Sequence, residues 1–146
     1  MRITTRGRYA LRASLALAKL GESGLPISIN TLSSEENVSS VFLEQIFFKL
    51  KKAGIVTSTR GPGGGFHFSQ SLHTLTVKQI LEAAGEDLDM TFCDKRSDDC
   101  ERVGECMSHQ VWVCANELVK NYFADITLSS ILEKYNKTTN QEAEKH

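Results

Sequence analysis

The sequence predicts a mainly α-helical protein with one small β-hairpin. Two observations predict this class. Apolar residues recur at helical spacing before residue 54 and again near the C-terminus. Between these regions, two short β-branched or aromatic runs flank a glycine-rich loop, which is typical of a hairpin.

The first three predicted helices share apolar residues at helical spacing, bounded by capping and glycine signals. They cover residues 6–20, Ile27–Glu36, and a stretch from about Ser40 to Ala53, which ends before Gly54. The third helix is amphipathic: its predicted core side is Leu43, Ile46, Phe47 and Leu50. Its other sides carry Val41, Glu44, Gln45, Phe48, Lys51 and Lys52.

A hairpin follows the third helix. Residues Ile55–Thr59 and Phe66–Ser69 are strand-like, and Arg60–Gly65 is the loop between them. Three helices followed by two strands is the order of a winged helix-turn-helix domain, in which the hairpin is the wing.

The second half of the chain is predicted to contain a helix at residues 77–84, a long helix at 110–124 and a short helix at 128–135. The predicted domains are a winged helix-turn-helix at 1–84, a cysteine-rich cluster-binding loop at 85–109, a dimerisation helix and C-terminal helix at 110–135, and a disordered tail at 136–146. The long helix has apolar residues spaced four, three and four apart, close to a coiled-coil seam. This predicted dimer interface is Val111, Ala115, Leu118 and Tyr122.

The charge distribution is asymmetric. The chain has 146 residues, 40% of them hydrophobic and 24% charged, with a formal net charge of -1. Residues 1–60 have a net charge of +5 and residues 61–146 a net charge of -6. The basic half is predicted to contact a polyanion.

No apolar run approaches 18 residues and no secretory signal is recognisable, so a cytoplasmic protein without a membrane partner is expected.

Candidate DNA-binding residues lie on three predicted elements. The start of the third helix offers side chains for base edges, namely Ser39, Ser40, Glu44 and Gln45. Its later turns offer cations for phosphates, namely Lys49, Lys51 and Lys52. The wing offers an arginine for the minor groove on a glycine-rich loop, namely Arg60 with Gly61, Gly63 and Gly64. The N-terminal segment adds Arg2, Arg6, Arg8 and Arg12 as phosphate contacts.

A candidate metal site is the series Cys93-x6-Cys100-x5-Cys106-x2-His109. Three thiolates and an imidazole form a complete ligand set for zinc or for an iron–sulfur cluster. The wide gaps favour an iron–sulfur cluster over zinc, and 2Fe-2S suits the ligand count. Free thiols or a redox disulfide pair are the alternative. Cys114, inside the following helix, is interpreted as a packing residue and not as a ligand.

No catalytic residues are predicted. Neither a Gly-x-Ser-x-Gly nucleophile motif nor a Walker A motif is present, and no small-molecule substrate is expected. Two non-enzymatic alternatives remain beside a DNA-binding regulator. One is a metal or iron–sulfur module without a DNA role, and the other is a cluster-free thiol redox switch.

Several stretches resemble the IscR-like regulators of the Rrf2 family. They are Met1–Leu11, Phe42–Gln45, Leu50–Val56, Arg60–Phe66 and the cysteine set followed by Trp112. The resemblance covers about residues 1–134. It implies a bacterial homodimeric transcription regulator that binds palindromic promoter DNA, here expected to be a repressor. It also implies that the helix at about 40–53 enters the major groove, and that the wing arginine, here Arg60, reaches the minor groove. The long helix would form the dimer interface. The implied cluster ligands are Cys93, Cys100, Cys106 and His109, and the implied signals are iron–sulfur status, redox state or nitric oxide.

Overall fold

The computed structural model describes residues 1–93 and 100–143. Within them the fold is mainly helical with one two-stranded antiparallel sheet, which confirms the predicted class. The elements are α1 (Thr5–Leu20), α2 (Ile29–Glu36), α3 (Ser40–Lys52), β1 (Val56–Thr59), β2 (Gly65–Phe68), α4 (Val77–Ala83), α5 (His109–Asp125) and α6 (Leu128–Ala143). A short 3-10 turn, Gly21–Ser23, follows α1. None of the described helices is long and apolar enough to cross a membrane.

The main core lies between α1, α2, α3 and the wing. The inward side of α1 is rich in alanine, and Ala10 and Ala13 are completely buried. Small side chains let neighbouring helices pack closely against α1. The predicted inner side of α3 is confirmed, since its four apolar residues, Leu43, Ile46, Phe47 and Leu50, are all fully buried.

The wing is attached to the segment that precedes α2. In the hairpin Val56 pairs with Phe68 and Thr59 with Gly65. Beyond this, Ile27 and Phe66 exchange two backbone hydrogen bonds of 2.9 and 2.8 Å. A Cβ atom on Gly65 would lie 2.3 Å from the carbonyl carbon and oxygen of Ile27, so this close approach requires glycine. No local pattern in the sequence predicts this bridge.

The start of α6 is fixed beside the start of α4. Thr76 caps α4 in a capping box with Gln79. A backbone bridge joins Thr76 to Thr127, and the Leu128 N–H donates to the Leu75 carbonyl at 3.0 Å. Leu128 is fully buried in the main core. The C-terminal helix therefore belongs to the same packed unit as α1.

The C-terminal tail differs from the prediction. Residues 136–146 were expected to be disordered, but α6 continues through Ala143, and 144–146 lie outside the described residues. The added part contains no glycine or proline to end a helix. The hydroxyls of Thr138 and Thr139 donate to carbonyls one turn earlier, at 3.0 Å each. Polarity alone was therefore a poor indicator of disorder here.

Candidate functional site

Most side chains on the outer side of α3 are exposed to solvent. Ser39 caps the helix, and its hydroxyl accepts from the Phe42 N–H at 3.5 Å. Glu44 and Gln45 are exposed on the side opposite the buried residues, while Ser40 is half-buried. The last turn carries three lysines, of which Lys51 and Lys52 are exposed and Lys49 is half-buried. Hydroxyl, carboxylate and amide side chains thus precede the lysines along this helix.

The wing tip is shaped by its glycines. The Gly64 N–H donates to the Gly61 carbonyl at 2.9 Å, and Gly61 and Gly63 have φ values of 92° and 72°. A Cβ atom on Gly64 would lie 2.3 Å from the Thr59 carbonyl oxygen. The tight turn leaves Arg60 exposed at the tip, as a minor-groove contact requires.

The N-terminal arginines fall into two groups. Arg2 and Arg8 are exposed. Arg6 is half-buried, and its guanidinium lies 3.2 Å from the position that a Cβ atom on Gly85 would occupy. Arg12 forms an ion pair of 2.7 Å with Glu36, so its charge is compensated within the chain. Arg2 and Arg8 are therefore the arginines here best placed for phosphates.

The four predicted metal ligands lie in the segment before α5 and at its first residue. Cys93 and Cys106 are half-buried and Cys100 is exposed. His109 begins α5, and its N–H donates to the Cys106 carbonyl at 3.2 Å, so these two donors share one turn. Residues 94–99 lie outside the described residues. Among the residues that are described, no three His, Cys, Asp or Glu side chains gather around a common point.

Cys106 has an environment that favours the thiolate. The Ser108 hydroxyl lies 3.3 Å from its sulfur. This contact, with the backbone N–H groups of Ser108 and His109 and the charge of Arg102, lowers the pKa of the Cys106 thiol below its ordinary value. The thiolate is the form that binds metal or reacts as a nucleophile.

Asn116 connects α5 to the chain that leads to Cys93. It is completely buried. Its side-chain oxygen accepts from the Met90 N–H at 2.8 Å, and its amide nitrogen donates to the Thr91 carbonyl at 3.4 Å. Lys120, one turn later, pairs with Asp89 at 2.5 Å. Asn116 was not among the residues predicted from the sequence. The available signal was a polar residue at helical spacing from Val119 and Phe123.

Glu86 connects the same segment to the start of α1. It is only 8% exposed. One carboxylate oxygen accepts from the Thr4 N–H at 3.0 Å, and the other accepts from the Thr4 hydroxyl. Gly7 leaves the space that Glu86 fills, because a Cβ atom there would lie 2.6 Å from its Cγ and Cδ atoms. The sequence offered no clear signal for this contact across 82 positions.

The predicted interface residues form an apolar stripe on α5. Val111, Leu118 and Tyr122 are 59%, 70% and 64% exposed, and Ala115 is half-buried. The stripe lies on the side of α5 away from Asn116. Cys114 adjoins it and is exposed, with a 3.3 Å contact from Gln110, so within this chain it is not the packing residue that was predicted.

Comparisons with known proteins agree with this architecture. The model of the Rrf2 family, described as iron-dependent transcriptional regulators, matches residues 3–134. A Neisseria meningitidis serogroup A protein assigned as a HTH-type transcriptional regulator is 38% identical over 93% of this chain and 90% of its own. The transcriptional regulator IscR of Photobacterium profundum is 33% identical over 93% of this chain and 78% of its own.

Solved structures share the fold. A structure of T. potens IscR superposes with a TM-score of 0.75 at 23% identity, covering 94% of this chain and 90% of that one. CymR, the global cysteine regulator of B. subtilis, superposes with a TM-score of 0.75 at 24% identity, covering 92% and 98%.

Proposed function

Because the chain belongs to the Rrf2 family of transcriptional regulators, and is therefore a DNA-binding protein and not an enzyme, we propose that it is a cytoplasmic homodimeric repressor whose DNA affinity responds to an iron–sulfur cluster. The observation that carries this proposal is the double attachment of the segment before Cys93. That segment is hydrogen-bonded to α1 through Glu86 and to α5 through Asn116.

The DNA surface consists of α3, the wing tip and the exposed N-terminal arginines. We assign α3 to the major groove because its outer side presents Glu44 and Gln45, and Gln pairs with adenine while Glu accepts from cytosine. Arg60 is exposed on a tight glycine turn, which suits the narrow minor groove. Arg2, Arg8 and Lys52 supply exposed positive charge for the phosphates.

The chemistry of the donor set fits an iron–sulfur cluster. Cys93, Cys100 and Cys106 are free thiols, and Cys106 is held in surroundings that favour its thiolate. His109 supplies a nitrogen donor on the first turn of α5. When bound, a cluster supplies a link among these donors that depends on iron supply and redox state. We propose Cys93, Cys100, Cys106 and His109 as the ligands, with 2Fe-2S as the cluster type.

Two sets of hydrogen bonds within the chain connect this site to the elements of the DNA surface. Asn116 fixes Met90 and Thr91, and therefore the approach to Cys93, relative to α5. Glu86 fixes the beginning of the same segment to Thr4 at the start of α1. Both α1 and α5 thus resist a shift of Cys93. A change in cluster binding at the site therefore alters the angle between α1 and α5. In a two-state dimer this angle sets the spacing of the two recognition helices.

The stripe Val111, Ala115, Leu118 and Tyr122 is the proposed dimer interface. Large apolar side chains gathered on one exposed side of a helix mark an interaction surface. A symmetric pair of these helices buries the stripe of each protomer. It also places two copies of α3 on one DNA duplex, as a palindromic operator requires.

The test of the cluster proposal is anaerobic purification followed by a visible spectrum and by iron and sulfide analysis. The wild-type protein is expected to be coloured and to contain both elements. Cys100→Ala is expected to lose the colour. Cys114→Ala is the matched control, because Cys114 is also exposed but lies outside the ligand set, and it should keep the colour.

The same preparation separates the alternatives. A zinc site gives colourless protein that contains zinc. The thiol switch, which the lowered pKa of Cys106 also favours, gives colourless protein without metal whose DNA affinity changes on oxidation. A module without a DNA role gives no specific complex with any duplex across a salt series. If cluster loss leaves DNA affinity unchanged, the proposed coupling is wrong.

A further inference from the structure

Two large apolar side chains stand on the outer side of α3, among the polar residues assigned to base contacts. Val41 is 62% exposed and Phe48 is 68% exposed. A single exposed apolar residue is ordinary on a protein surface. Here, however, two share the one helix side that points away from the core, and Glu44 and Gln45 lie beside them.

Helical geometry aligns the two side chains. They are seven residues apart, so they lie on the same side and are separated by about 10 Å along the axis. Base pairs are stacked about 3.4 Å apart along the duplex axis, so this separation corresponds to at most about three base-pair steps. Phe48 lies directly opposite the buried Ile46 and Leu50 side of α3.

The charge around Val41 and Phe48 indicates which kind of molecule contacts this surface. The last turn of α3 carries Lys49, Lys51 and Lys52, and Arg60 is exposed on the neighbouring wing. Such a surface complements a polyanion. Inside the major groove of DNA, the apolar group offered to a protein is the 5-methyl group of thymine, while the other base edges are donors or acceptors.

We propose that Val41 and Phe48 contact thymine methyl groups in the major groove, and that the operator contains thymines at most about three base pairs apart at these contacts. This inference rests on the placement of α3 in the major groove proposed above. It adds apolar readout of thymine to the hydrogen bonds expected from Glu44 and Gln45. Burial of one methyl-sized group is worth about a fourfold change in affinity.

The experiment begins with selection of binding sites from a random-sequence pool of DNA duplexes by the full-length protein. Each thymine of the enriched sequence is then replaced, one at a time, by deoxyuridine, which lacks only the methyl group. Wild-type protein is expected to lose about fourfold in affinity at two positions in each half-site. Phe48→Ala is expected to lose this dependence at one position and Val41→Ala at the other.

Leu25→Ala is the matched control. Leu25 is 66% exposed but lies before α2 and is not part of α3, so its substitution should keep the wild-type deoxyuridine pattern. Thermal melting verifies that the variants fold, as expected for substitutions of exposed residues.

The possible outcomes test the thymine contacts separately from the placement of α3 in the major groove. An enriched sequence with no deoxyuridine effect, or with an effect that persists in both α3 variants, overturns the thymine contacts and leaves DNA binding intact. Failure to enrich any sequence overturns the placement of α3 together with the inference. A Phe48→Ala protein that changes its oligomeric state would show that this surface contacts protein, and it would also overturn the inference.

Discussion

The side-chain oxygen of Asn116 accepts a hydrogen bond of 2.8 Å from the backbone of Met90, three residues before Cys93. A residue of the proposed dimerisation helix thereby holds the approach to the proposed sensor site. Because Asn116 is completely buried, its side-chain oxygen depends on this partner within the chain.

Asn116→Leu should destabilise the protein by about 1–3 kcal/mol, because the Met90 N–H and the Thr91 carbonyl lose their partner in a part-buried position. Denaturant unfolding measures this loss. We also expect faster loss of iron during gel filtration. Asn121→Ala, on the exposed side of the same helix, should change neither quantity. Equal stability of the two variants would show that Asn116 does not support this segment.

Gly7→Ala should weaken the attachment of Glu86 to α1. The added Cβ atom would lie 2.6 Å from Glu86, which is buried and bonded to Thr4, so the carboxylate must move and break these bonds. We expect a loss of about 1–3 kcal/mol in thermal unfolding. Gly21→Ala is the control, because its nearest neighbour, Ile27, is 4.0 Å away. A similar small effect at both positions would contradict close packing at Gly7.

Arg60→Ala should weaken DNA binding and reduce the salt dependence of the binding constant. Loss of one cation at the duplex lowers the slope of log K against log salt by about one. Arg12→Ala should have little effect, since Arg12 is already paired with Glu36. Binding titrations over a salt series measure both variants. If Arg12→Ala proves the more damaging, the DNA surface has been placed on the wrong side of α1.

Leu118→Glu should convert the proposed dimer into monomers. Leu118 is 70% exposed in the single chain, so the substitution should be harmless to the fold. In a symmetric dimer it would bury two charges and remove the apolar packing of two leucines, which predicts at least about a hundredfold weaker association. Sedimentation velocity measures the mass. Glu117→Gln, at the adjacent exposed position, should remain dimeric; a dimeric Leu118→Glu protein would exclude the stripe as the interface.

The metal-free protein should show a Cys106 thiol that is alkylated at lower pH than an ordinary cysteine. Its pKa is lowered chiefly by the Ser108 hydroxyl, so the reactive thiolate is present at a pH where an unperturbed thiol is protonated. Ser108→Ala should shift the pH–rate curve for Cys106 upward. Iodoacetamide labelling followed by peptide mass spectrometry measures this, with Cys114 as the internal reference. An unchanged curve would remove Ser108 as the cause.

The local features of the fold were predictable from the sequence. The inner side of α3 follows from its periodicity, and the wing follows from two strand-like runs around glycines. The N-terminal end of α4 follows from Thr76, whose hydroxyl accepts a hydrogen bond from the first turn. The start of α2 was expected at Ile27, but the helix begins at Ile29, because Ser28 caps it and Ile27 pairs with the wing. Each of these signals acts over a few residues, which is why a single sequence contains it.

The long-range contacts were not predictable. Thr4 and Glu86 are 82 positions apart, and neither residue type indicates the other. Ile27 joins the wing by a single backbone bridge, which leaves no periodic pattern. The burial of Asn116 could not be predicted, because a buried asparagine on a helix looks the same in sequence as a solvated one. The length of α6 was underestimated, because its polar composition was taken as a sign of disorder. In the structure, threonine hydroxyls donate hydrogen bonds to backbone carbonyls of the same helix.

The bridge between Thr76 and Thr127 has a consequence for how this architecture can diversify. The chain from α4 to the end of α5 begins and ends at adjacent points, because the two threonines pair side by side, while Ile80 and Ala84 of α4 remain in the main core. Both ends of the stretch between these threonines are therefore held at one place in the fold. Since the entropic cost of a longer loop grows only slowly with its length, residues around Gly104 can be inserted, removed or exchanged for those of a relative while α6 stays seated on α1. We expect that a different segment can take the place of the proposed sensor segment before α5 while α3 and the wing keep their fold.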